Sequence, residues 1–118
     1  MAALMVFTVG YGAIRLKVRL LPTIQDVHRE YIAGRTWRRA GMKVHAFFQP
    51  AHHPSAKHTG TIVLPADGRL EELIPHEVVH AVMGKMGGVH WSDDEALATA
   101  VGVLSARIHK KINRGVAA

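Results

Sequence analysis

The sequence contains no cysteine. That absence excludes a disulfide scaffold, thiolate zinc sites, iron–sulfur clusters and a cysteine nucleophile. Any metal must be held by nitrogen and oxygen. No stretch reaches the roughly 18 consecutive apolar residues that would cross a bilayer. The fairly apolar stretch at residues 1–14 has no Lys or Arg before it and is broken by Gly10 and Gly12. It therefore lacks the basic start and unbroken apolar core of an export signal. The expectation is a cytoplasmic protein with no membrane segment. There is no Ser/His/Asp signature, no glycine-rich phosphate loop and no dinucleotide fingerprint; Gly10-Tyr11-Gly12 reads as a bend. No repeat, low-complexity tract or long linker divides the 118 residues. A single domain over 1–118 is expected, long enough to bury a core without staples.

Two features stand out among what is present. There are 9 histidines, and Lys+Arg outnumber Asp+Glu by 15 to 9. The charge is uneven: residues 1–60 hold nine basic and two acidic side chains, against six and seven in residues 61–118. A basic first half suits an anionic partner such as nucleic acid or an acidic protein, although such a surplus is often a solvated face.

The apolar pattern gives the elements. Residues 4–9 read as a short strand or an arm. Residues 14–20 alternate apolar and basic, the period of a half-buried strand with a basic outer face, and Pro22 ends it. Thr23 caps a helix over 24–34, with Ile24, Val27, Tyr31 and Ile32 on one face and Gly34 as its stop. Arg35, Arg38 and Arg39 form a basic turn around Trp37, suited to nucleic acid or simply solvated. Residues 43–49 read as a strand. Residues 50–58, with two prolines and the histidines 52, 53 and 58, read as a loop, solvated or holding a second metal. Residues 60–64 are a further strand, closed by Pro65 and an Asp67-Gly68 turn. Apolar residues at 70, 73, 74, 78, 79, 82 and 83 have a helical period over 69–86, with Pro75 marking a start or a kink. Ser92 and Glu95 form a capping box for a last helix over 93–113, closed by Gly115. That helix carries no charge from Ala96 to Ala106, which predicts burial on most sides. The expected class is α+β, a small sheet of about three strands packed on the two C-terminal helices.

Residues 76–80 read His-Glu-Val-Val-His. Histidines at i and i+4 lie one turn apart on one helix face, so both imidazoles can reach one ion at about 2.0–2.1 Å. Glu77 is offset by about 100° and points beside that ion, where it can take a proton from a water. This is the HExxH arrangement of zinc peptidases. A histidine-rich chain can also form the pattern by chance, leaving His76 and His80 as core histidines. A catalytic zinc needs a third protein ligand and one open position. Downstream candidates are His90, Asp93, Asp94, Glu95 and His109. The position six after His80 is Met86, so the three-histidine metzincin pattern is absent. Glu95 opens the last helix beside Ala98, Thr99 and Gly102, small residues that let it approach the HExxH helix. Asp94 is the rival, and the capping box alone also accounts for Glu95. Glu72, one turn before His76, is either an orienting carboxylate or an exposed helix charge.

His76-Glu77-Val78-Val79-His80, followed by Glu95-Ala96-Leu97-Ala98 at a helix start, resembles the gluzincin peptidases. It is most similar to their small, cytoplasmic or phage-encoded members, such as the ImmA/IrrE-type peptidases. The resemblance spans residues 60–108. It implies a minimal zincin-like fold with zinc on His76, His80 and Glu95, and Glu77 as general base. It also implies a peptide substrate laid along the strand before the motif as an edge strand. His90, His109, Tyr31 and Tyr11 are the candidate oxyanion donors. Three functions compete: a zinc metallopeptidase; a zinc-stabilised basic binding module contacting nucleic acid or an acidic protein; and a metal-free interaction protein.

Overall fold

The computed structural model describes residues 3–33, 43–55, 58–86 and 94–117. Seven elements follow one another: β1 (Met5–Tyr11), β2 (Ile14–Leu21), α1 (Ile24–Ala33), β3 (Phe47–Ser55), β4 (His58–Pro65), α2 (Leu70–Met86) and α3 (Asp94–Ala117). The class is α+β, as expected. The sheet is mixed and has four strands rather than about three, in the order β1-β2-β4-β3.

β1 and β2 form an antiparallel hairpin closed by the pair Tyr11 and Ile14. Its two-residue turn needs a positive φ, which Gly12 supplies at 58°. β2 pairs parallel with β4, from Leu16 opposite Gly60 to Leu21 opposite Pro65. A parallel pair needs a crossover, and α1 and β3 lie within it. β3 then returns antiparallel to β4, with a register shift between Pro50 and Ser55. β4 is therefore paired on both sides, and the edge strands are β1 and β3.

The alternation in β2 sorts its side chains. Leu16, Val18 and Leu20 are fully or nearly fully buried on one face, with Ile62 and Leu64 of β4 beside them. Onto this face pack Ile74, Val78, Ala81 and Val82 of α2 and Ala100, Leu104, Ile108 and Ile112 of α3. Leu21 and Val63 point to the other face, where Val27 of α1 and Phe47 of β3 complete a second, smaller cluster.

The N-terminus of α1 is held three ways. The Asp26 N–H donates to Thr23 Oγ1 at 3.1 Å, and the Thr23 N–H donates to Asp26 Oδ2 at 3.2 Å, a reciprocal capping pair. The Ile24 N–H donates to Asp67 Oδ1 at 2.8 Å, so the Asp67-Gly68 turn also serves as a cap. The Val44 N–H donates to His28 Nδ1 at 3.0 Å and ties α1 to the approach of β3.

Several expectations are corrected. The strand expected at 43–49 begins at Phe47, and the loop expected at 50–58 is strand as far as Ser55, with His58 opening β4. An edge strand tolerates proline because one side of its backbone needs no partner. β4 was expected to be the edge that binds substrate; it is interior, and among the described residues β3 is the outer strand on that side of the sheet. α2 starts at Leu70, five residues before Pro75, which supplies no donor to the Glu71 carbonyl. α3 passes Gly115 and ends at Ala117. Nor is α3 buried on most sides: Ala96, Ala98, Thr99, Gly102 and Ala106 are exposed. Absence of charge is not presence of apolar surface, and these small side chains offer little area to bury. The basic turn around Trp37 and the Ser92 cap lie outside the described residues.

Candidate metal centre

α2 is built so that its motif lies half in and half out of the protein. Ile74, Val78, Ala81 and Val82 are buried against the sheet and α3. At 100° per residue this leaves positions 72, 76 and 80 facing away from the core. His76 and His80 are accordingly exposed, the His76 side chain at 66%. Glu77 falls at the margin of the buried face and retains 5% of its surface.

The two imidazoles come together. Their ring centroids are 5.0 Å apart and their planes meet at 76°. Two imidazoles on one tetrahedral ion at about 2.0–2.1 Å would have centroids roughly 5 Å apart. The spacing therefore suits a shared cation without rebuilding the helix. Solvent reaches both rings, and aliphatic side chains do not wall them off.

Glu77 Oε2 lies 3.8 Å from His76 Nε2, beyond hydrogen-bond range. Burial pushes the Glu77 carboxyl above its ordinary value, while the charges of His76 and His80 pull it partly back. A carboxylate made more basic by desolvation, beside a pair of imidazoles, is better suited to accept a proton than an exposed one.

The third expected ligand does not join them. Glu95 is exposed in the first turn of α3, and among the described residues no three His, Asp or Glu side chains form a group that could hold a metal. The small residues expected to bring α3 onto α2 face solvent instead, and nothing lies within 4 Å of a side chain built at Gly102. The α2–α3 packing runs through the larger residues of the core. His90 and Asp93 lie outside the described residues, as does the side chain of the rival Asp94.

Other expected residues find their places. Glu72 is 66% exposed and lies 3.6 Å from Arg69, which makes it a surface helix charge. Tyr31 packs edge-on against Phe47, with centroids 5.3 Å apart, on the sheet face away from α2. Tyr11 closes the β1–β2 hairpin. His109 is half-buried on α3, and His58 is half-buried at the start of β4. The side chains of His52 and His53 lie outside the described residues. No helix among the described residues is long and apolar enough to cross a membrane. The chain matches no family model, no curated protein and no solved structure.

Two features of the structure are not encoded in the local sequence pattern. One is the depth of Glu77, since a helical period does not say where the margin of a buried face falls. The other is the edge position of β3, hidden by its prolines.

Proposed function

We propose that the protein is a zinc-dependent metallopeptidase whose metal is held on α2. The observation that carries this is the joint placement of three side chains: two exposed imidazoles at 5.0 Å and a buried carboxylate beside them. His76 and His80, one turn apart, share the solvent face, while Glu77, one step round the helix, meets the margin of the core. His76 and His80 would hold the zinc. Glu95 is the assigned third ligand, which requires the start of α3 to close on α2 when the metal binds, as metal sites often complete themselves around the ion.

Zinc, when bound, supplies Lewis acidity that lowers the pKa of a water and polarises a carbonyl. The chain's own part falls to Glu77. Its desolvated carboxylate takes the proton that the attacking water loses and returns it to the departing amine. Because the carboxylate is buried up to its edge, it needs little reorganisation to do so. An extended peptide would add beside β3, the outer strand among the described residues, with main-chain hydrogen bonds supplying affinity.

The decisive experiment is metal analysis of protein purified without nickel resin, followed by a peptidase assay. Zinc near one equivalent after reconstitution is expected, and less than about 0.2 equivalents would overturn the reading. Glu77→Gln should retain zinc and lose turnover by about 10²–10⁴-fold. Undiminished cleavage by that variant would remove Glu77 from its role.

A further inference from the structure

We propose that the outer edge of β1, unpaired among the described residues and at the opposite end of the sheet from β3, receives an extended acidic segment of a partner protein as an added strand. Three observations converge there. The first is an open ladder. Tyr11 and Ile14 close the hairpin, so hydrogen-bonded pairs recur at Val9 and Phe7, and the N–H and C=O groups of Val6 and Thr8 point away from β2. Two contacts fix this parity. The Gly10 carbonyl accepts from Arg107 of α3, and the Arg15 N–H opposite it turns to Thr59 Oγ1 at 3.1 Å.

The second is an unguarded surface. β1 carries no charge and no proline, the usual protections of an edge strand. Leu4 and Val6, at 59% and 54%, are the exposed large hydrophobic residues of the described chain. Alternate apolar side chains on a pairing strand would cover them.

The third is charge, which selects the occupant. Residues 1–25 and 96–118 contain no Asp or Glu. On one face Lys17 stands opposite Thr8 and Arg15 opposite Gly10. On the other runs α3. Arg107 reaches Gly10, and a side chain at Gly115 would collide with Met5, so this flank of α3 lies along β1. Lys111 and Arg114 follow Arg107 at i+4 and i+7 on that same flank. Arg19 is neutralised by Glu30 of α1. The strand edge thus lies between two rows of cations, and a second copy would bring its own cations against them. An acidic polypeptide with alternating apolar residues satisfies the open backbone, sets its apolar side chains over Leu4 and Val6, and turns its carboxylates to Lys111 and Arg114 on the α3 face. Nucleic acid would satisfy only the charge.

The test measures binding of a short fluorescein-labelled peptide of alternating valine and glutamate, in chelator to silence any zinc chemistry. A single-stranded oligothymidylate serves as the competing probe. The peptide should bind the more tightly, and amide hydrogen exchange should slow at Val6 and Thr8. Val6→Pro removes an outward N–H and should weaken binding at least about tenfold. Lys111→Glu with Arg114→Glu, on an exposed helix flank, should weaken it by a similar factor and flatten its salt dependence. Tighter binding of the oligonucleotide, unchanged exchange at Val6 and Thr8, undiminished binding by Val6→Pro, or no peptide binding would each overturn the proposal.

Discussion

Glu77 and His76 are adjacent in the chain and 3.8 Å apart at their polar atoms, yet one is buried and the other stands in solvent. A single helical step across the boundary of the core creates this difference. In the proposed metallopeptidase it would separate the work of holding a cation from the work of handling a proton.

Added zinc should stabilise the protein reversibly. Zinc at a hundredfold excess over its Kd should contribute about 2.7 kcal/mol, lost on chelation. Differential scanning fluorimetry reads this directly. His76→Ala should leave the metal-free stability within about 0.5 kcal/mol of wild type, as expected for an exposed side chain, and abolish the zinc-induced rise in Tm.

Glu95→Ala should weaken zinc binding by one or more orders of magnitude, while Asp94→Ala should leave it nearly unchanged. Competition with a chromophoric chelator measures both. Equal affinity of Glu95→Ala and wild type would remove Glu95 from the ligand set.

Glu77 also predicts a pH dependence of the metal-free protein. Its carboxyl binds a proton more tightly when folded, because burial disfavours the ionised form. Below the ordinary value of 4.5 the group is protonated folded and unfolded, and no penalty exists. As pH rises from there through the raised folded value, the native state loses stability. Glu77→Gln escapes that loss. Its Tm should exceed that of wild type at neutral pH, and the gap should close in acid. A gap that widened in acid would contradict the burial of the carboxylate.

The core should be intolerant where the surface is not. Ile108 is fully buried between α3 and the sheet, and Ile108→Ala should cost about 2–5 kcal/mol by urea denaturation. Thr99→Ala, on the exposed face of the same helix, should change little.

Strong periodicities were legible in the sequence. The alternation of Ile14 to Leu20 announced a half-buried strand, and the Thr23 cap located the first residue of α1. The His76/His80 pair was legible because i, i+4 spacing has one geometric consequence. Pairing partners were not: nothing local in residues 60–64 says whether a neighbour lies on one side or two. Nor could composition separate uncharged from buried in α3, where Ala98, Thr99 and Gly102 face solvent. The third ligand depends on how two helices meet across an intervening connection, a long-range relationship that residue spacing does not encode.

The parallel ladder between β2 and β4 has a kinetic consequence. The Arg15 backbone meets Thr59 across 44 positions of sequence, and β3 has no strand neighbour until β4 arrives. A nascent chain ending before residue 58 can close the first hairpin, but Leu16 and Val18 stay uncovered. Assembly must therefore wait on a high-contact-order step, and the histidine-bearing helix comes into place only after that step is taken.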